Sequence, residues 1–270
     1  SQFYTNIQLA GDTILYRGYE NGQQVQFRTQ FSPTLYVTSN KKENFTTLDG
    51  KPVKPINFQT SREARDFIKQ YDGVEGFQVH GYERFVYQYI RREFPKEVKY
   101  NISQMKIFAL DIEVQCENGF PDVEAAAEEM LSITIKDMVT KEYFVWATRE
   151  FNVPEGVKAF ICDTERDMLR SYIGWWAQNT PDILTGWNVN LYDVPYIARR
   201  VNRVLGEKWM KSLSPWNRAN EREVYVQGRK NYAYDVSGIN ILDYLDLYRK
   251  FTYSNQESYR LDHIAFVELG

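Results

Sequence analysis

The stretch Ile107-Phe108-Ala109-Leu110-Asp111-Ile112-Glu113 constrains this chain more than any other. Four consecutive apolar residues with no polar interruption suit a strand that is covered on both faces. Side chains alternate along a strand, so Asp111 and Glu113 share one face and Ile112 takes the other. Two carboxylates at the carboxyl end of a buried strand repel each other and lose hydration. A divalent cation offsets both costs. The same spacing recurs in Asp122-Val123-Glu124, but that pair follows Gly119-Phe120-Pro121, a turn sequence, and reads as a surface pair.

Elements around this strand follow from periodicity. Leu131–Lys136 and Glu142–Trp146 form a hairpin. Asp163-Thr164 opens a helix with Met168, Leu169, Tyr172, Ile173 and Trp176 on one face. Asp182–Trp187 reads as a short strand, and Asp193-Val194-Pro195 starts a helix running to about Gly206. Asp193 at the mouth of this helix reads as an N-cap with Pro195 inside the first turn, a reading that is compatible with a functional role. Residues 105–270 are therefore expected to form an α/β domain on a mixed sheet.

Residues 1–104 read differently, as an α+β amino-terminal domain. Residues 3–37 have the texture of a β-meander, with Asn21-Gly22 as a type I′ turn between Ile14–Tyr19 and Gln24–Gln30. Asp49-Gly50-Lys51-Pro52 marks another turn. Thr60 or Ser61 caps a helix whose apolar face is Ala64, Phe67, Ile68 and Tyr71.

Charge and composition exclude several classes. The 270 residues carry 33 basic and 36 acidic side chains, a net charge of −3, so nucleic-acid contact has to come from local patches. Arg199, Arg200 and Arg203, then Lys208 and Lys211, then Arg229 and Lys230, are such patches, although solvated faces explain them as well. Cys116 and Cys162 give neither a disulfide framework nor zinc spacing, and His80 and His263 are the only histidines. No run approaches the roughly 20 apolar residues of a membrane span. The start, Ser1-Gln2-Phe3-Tyr4, is not a signal peptide, so an intracellular, cytoplasmic protein with no membrane partner is the expectation. The stop at Leu269-Gly270, just after a helix, reads as that of a fragment.

Two segments together carry a resemblance. Phe108-Ala-Leu-Asp111-Ile-Glu113 resembles the first exonuclease motif of family B DNA polymerases, and Thr185-Gly-Trp-Asn188-Val-Asn-Leu-Tyr192-Asp193 resembles the second. Thr164-Glu-Arg-Asp-Met-Leu, Asp193-Val-Pro-Tyr-Ile, Ser214-Pro215 and Ile241-Leu-Asp-Tyr-Leu-Asp-Leu-Tyr-Arg-Lys-Phe251 are similar to the T-even-type phage branch. The clear similarity covers about 105–270. It implies a ribonuclease-H-like 3′→5′ proofreading exonuclease domain, incomplete at its carboxyl end. Asp111, Glu113 and Asp193 would be three of four carboxylates holding two Mg²⁺ or Mn²⁺ ions, which act in pairs about 3.5–4 Å apart.

The resemblance also implies that Phe120 packs on the unstacked terminal base and that Asn188 and Tyr192 bind the terminal nucleotide. Implied partners are single-stranded DNA or a primer 3′ end, RNA for the first domain, and the remainder of a polymerase chain. The implied location is the host-cell cytoplasm of a phage. One departure stands out: the family's third motif, Tyr-x-x-x-Asp, occurs nowhere in the chain. An impaired exonuclease is the expected consequence, and the polymerase portion is absent. A non-catalytic nucleic-acid-binding module, with the exonuclease residues as scaffold, is the competing reading.

Overall fold

The computed structural model describes residues 2–117 and 119–270; Ser1 and Asn118 lie outside the described residues. The chain divides into two compact units, Ser1–Tyr100 and Asn101–Gly270.

In the first unit β1 (Gln2–Ala10), β2 (Thr13–Glu20) and β3 (Gln23–Gln30) form an antiparallel meander. The β2–β3 turn works because Asn21 and Gly22 both take positive φ, 50° and 82°. A second sheet is built from β4 (Thr34–Thr38), β5 (Phe45–Thr46), β6 (Pro52–Asn57) and, after helix α1 (Ser61–Tyr71), β7 (Val79–His80). Thr60 caps α1: its side chain accepts from the Glu63 N–H, and the Glu63 carboxylate accepts from the Thr60 N–H in return. Helix α2 (Val86–Glu93) follows, and Tyr89 and Phe85 pack with Ile14, Tyr16, Phe31, Leu35 and Ala64 in this unit's own core.

The second unit is built on a six-stranded mixed sheet. Its strands are β8 (Ile107–Val114), β9 (Met130–Asp137), β10 (Tyr143–Ala147), β11 (Val157–Ile161), β12 (Ile183–Gly186) and, near the carboxyl end, β15 (Asn240–Asp243). The order is β11-β10-β9-β8-β12-β15. The pairs β8/β9 and β9/β10 are antiparallel, whereas β10/β11, β8/β12 and β12/β15 are parallel. Helix α3 (Glu165–Gln178) is capped by Thr164, which accepts from the Asp167 N–H at 3.1 Å. It buries Met168, Leu169, Tyr172, Ile173 and Trp176, the face expected from the periodicity. Helix α4 (Asp193–Leu205) packs beside it, followed by α5 (Glu207–Lys211) and a two-stranded ribbon of β13 (Ala219–Val226) and β14 (Arg229–Val236). Helices α6 (Tyr244–Phe251) and α7 (Leu261–Leu269) close the chain.

Strand β8 is not covered equally on its two faces. Phe108, Leu110 and Ile112 are buried in the core with α3 and α4, whereas Ile107 and Ala109 are half-buried. The apolar run thus reflects one tightly packed face and one face lightly covered on the side of α6. Among the described residues no helix is long and apolar enough to cross a membrane.

Candidate active site

Strand β8 delivers its carboxylates as alternation requires: Ile112 is buried, and Asp111 and Glu113 are exposed on the other side. Pairing with β9 becomes irregular just past Glu113, where Val114 is opposite Met130 instead of Leu131. Such a bulge ends the ladder and opens room at the strand end.

The second segment approaches the same place through β12. The register of β12 against β8 brings Thr185 opposite Ala109. Gly186 then lies so close to β8 that a Cβ there would stand 2.6 Å from the Leu110 carbonyl oxygen and 3.1 Å from Val189 Cβ. Only glycine allows this approach. Asn188 next takes φ 61°, a left-handed conformation that asparagine tolerates better than most residues. Its carbonyl accepts from the N–H groups of Leu191 and Tyr192, closing the turn that launches α4.

Asp193 is the first residue of α4, and Tyr192 occupies the N-cap position without a side-chain cap bond. The N-cap reading of Asp193 is therefore corrected. Its carboxylate points across the sheet edge and accepts from the Ile112 N–H at 3.1 Å, between Asp111 and Glu113 in sequence. Asp193 is only 3% exposed. Burial, and then the charge of Asp111, push its pKa up to about 7. Partial desolvation against the cleft wall also raises Asp111, although its side chain still reaches solvent. Among the described residues neither of these carboxylates nor Glu113 makes an ion pair with a basic side chain.

Asp111, Glu113 and Asp193 line one cleft of about 970 Å³, together with Phe120, Trp187, Asn188, Tyr192, Arg229, Arg249 and Arg260. As they stand, no three acidic, histidine or cysteine side chains among the described residues are grouped closely enough to hold a metal ion. The donor set still suits a hard divalent cation: its ligands are all carboxylate oxygens, and one is buried without counter-charge.

Phe120 is 79% exposed, which rules out a role as a core anchor; its ring packs on Tyr192 at 4.9 Å between centroids. Tyr192 in turn lies 5.8 Å from Tyr196, and burial raises its hydroxyl above the ordinary tyrosine value. Asn188 contributes its backbone to the turn, while its side-chain amide makes no hydrogen bond among the described residues.

Several cations named from the sequence have structural duties instead. Arg200 is buried, donates from Nε to Glu165 at 2.8 Å and pairs with the same carboxylate through Nη2. Glu165 also accepts from the Met130 N–H at 2.9 Å, and Arg200 donates to the Ala126 and Ala127 carbonyls. Arg199 donates to Glu221 and to the Glu124 carbonyl, and Arg203 donates to Ala125. One face of α4 thus clamps the segment leading from Phe120 to β9. Lys211 pairs with Glu207 and Lys230 with Glu223. Asp122 accepts from the N–H groups of Glu124 and Ala125, so the second Asp-x-Glu stabilises a turn and is no part of the cleft wall.

Sequence reasoning missed Asp243. It ends β15 opposite Gly186, is 8% exposed, and accepts from the N–H groups of Asn188, Asn190 and Leu245. Its neighbourhood was noticed only as a motif match. The usable signal was an aspartate ending a short apolar run, Ile241-Leu242, directly before a helix. The ribbon β13–β14, whose Val226, Gln227, Arg229 and Asn231 reach the cleft, was missed as well.

Known proteins resemble the chain over most or all of its length. The chain is 31% identical to the DNA-directed DNA polymerase of Enterobacteria phage T4 over 98% of its own length and 32% of that protein. It is 28% identical to the DNA-directed DNA polymerase of Escherichia phage RB69 over 100% of its length and 33% of that protein. The DNA polymerase catalytic subunit of Equine herpesvirus 2 is 25% identical over 59% of the chain and 17% of its own length. The chain thus spans about a third of the length of the two curated phage relatives. Residues 83–264 match the family described as DNA polymerase family B, exonuclease domain, and the chain belongs to that family.

Proposed function

We propose that this chain is the proofreading region of a replicative DNA-directed DNA polymerase and hydrolyses the 3′-terminal phosphodiester of single-stranded DNA. In this reading residues 1–104 form the amino-terminal domain and 105–270 the exonuclease domain, and the mixed sheet supports a ribonuclease-H-like assignment for the latter. The observation that carries the reading is the cleft itself. Two separate motifs bring Asp111, Glu113 and Asp193 to one wall, with Asp193 buried and uncompensated.

Asp111, Glu113 and Asp193 are the proposed ligands for Mg²⁺ or Mn²⁺. Two such ions, when bound, supply an activated water and stabilise the charge on the attacking and leaving oxygens. The chain's own side chains do the rest. The hydrogen bond from Ile112 N–H fixes the Asp193 carboxylate, and the β8 alternation fixes the other two. Phe120 and Tyr192 offer an aromatic surface to an unstacked base, and the uncommitted Asn188 amide hydrogen-bonds the terminal nucleotide. Arg229, Arg249 and Arg260 on the cleft wall are the cations placed to meet phosphates.

Because no Tyr-x-x-x-Asp is present, the chain supplies three of the family's four carboxylates, and its hydrolysis is proposed to be slow. A primer 3′ end is the substrate, RNA is a further partner of the first domain, other polymerase segments are partners in the same protein, and the host-cell cytoplasm is the setting. The test is degradation of a 5′-labelled single strand in Mg²⁺ or Mn²⁺. Shortening from the 3′ end, abolished by Asp111→Ala, supports the reading. Binding that survives chelation, without any shortening, supports the non-catalytic module instead.

A further inference from the structure

The cap of α6 is larger than a cap needs to be. A helix N-terminus asks one side-chain oxygen to satisfy one N–H, and the bond from Leu245 N–H to Asp243 Oδ1 at 2.9 Å does that. Asp243 then takes two more donors from a different element. Asn188 N–H reaches Oδ1 at 3.0 Å and Asn190 N–H reaches Oδ2 at 2.9 Å. The carboxylate is 8% exposed, so little water competes for it. Parallel pairing of β12 with β15 aligns Gly186 with Asp243 and sets the carboxylate beside the turn that follows. That turn holds Asn188 in a left-handed conformation which nothing in its own side chain stabilises.

We propose that Asp243 is a positioning residue for the exonuclease site. It anchors the backbone of the Asn188–Asn190 turn and thereby fixes where the Asn188 amide meets the terminal nucleotide. This assignment rests on the nuclease reading above. It treats Asp243 as acting through Asn188, so removing either should remove the same interaction. A residue that served only the fold would instead add its own loss to that of Asn188.

A single strand carrying 2-aminopurine at its 3′ end reads the terminal contact by fluorescence, with Ca²⁺ in place of Mg²⁺. The variants are Asn188→Ala, Asp243→Asn and the double variant. Asparagine at 243 keeps an acceptor for Leu245 and Asn188 but turns a donor toward the Asn190 N–H. Asp243→Asn is expected to bind about tenfold more weakly, the scale of one lost hydrogen bond to a charged acceptor. The double variant is expected to bind no more weakly than Asn188→Ala alone. If Asp243→Asn does not fold, Asp243→Ser, which keeps only the α6 cap, goes through the same cycle. Multiplying losses, unaltered binding by Asp243→Asn, or unfolding of both variants would overturn the assignment while leaving the nuclease reading intact. Failure of the unaltered chain to bind the probe would overturn both.

Discussion

Asp193→Asn should make the metal-free chain more stable at alkaline pH and leave it nearly unchanged in acid. The carboxyl group is pushed from 3.8 up to about 7 in the folded chain, chiefly by burial and then by Asp111. An unfolded aspartate releases its proton near pH 3.9, about its ordinary value. Between those limits the folded state binds more protons than the unfolded state, so stability falls as pH rises through the window. At about 1.4 kcal/mol per pKa unit, a shift of about three units makes the loss about 4 kcal/mol by pH 8. Asparagine has the same shape and keeps an oxygen for the Ile112 N–H, but it has no proton to lose.

The six tryptophans all lie between residues 146 and 216, so their fluorescence follows the second unit alone. Urea unfolding in EDTA at pH 4.5 and pH 8 would measure the effect. The advantage of Asp193→Asn should widen by about 3 kcal/mol between the two pH values, since about 1 kcal/mol of the loss already falls below pH 4.5. Parallel pH dependences for the two proteins would refute the idea that Asp193 is buried at an electrostatic cost.

Other substitutions test neighbouring parts of the account. Gly186→Ala places a Cβ against the Leu110 carbonyl and should cost about 1–3 kcal/mol of stability while displacing Asp111; urea midpoints and strand degradation should fall together. Arg200→Ala leaves Glu165 buried without its partner and should cost about 3–5 kcal/mol by the same unfolding assay. Phe120→Ala should change stability by less than about 0.5 kcal/mol, since the ring is exposed. It should nevertheless weaken single-strand binding by about 1–3 kcal/mol, the usual scale of base stacking.

Local chemistry made β8, the β9–β10 hairpin, α3 and α4 legible, because each has strong periodicity or a recognisable cap. Other parts were hidden because their signal is not local. β15 is four residues long and is a strand only because β12 lies beside it in parallel. β13 reads Ala-Asn-Glu-Arg-Glu-Val-Tyr-Val and is largely exposed, so its ribbon shows no buried-face alternation. Glu165 in the first turn of α3 looks like an ordinary dipole-favoured residue, and only the fold brings Arg200 onto it. Asp193 was readable as a helix start, yet which way its carboxylate points depends on β8, which is 81 residues away. The candidate site was thus visible as two motifs, whereas Asp243 needed the third parallel strand to be in place.

The central claim is that three carboxylates from two elements, β8 and α4, hold the divalent ions of one site, and Mn²⁺ binding tests it most directly. Free Mn²⁺ measured by electron paramagnetic resonance at pH 8 should fall on addition of the chain. Asp111→Ala and Asp193→Ala should each abolish that uptake, since each removes a ligand of the same site. Equal uptake by the unaltered chain and by both variants would contradict the claim.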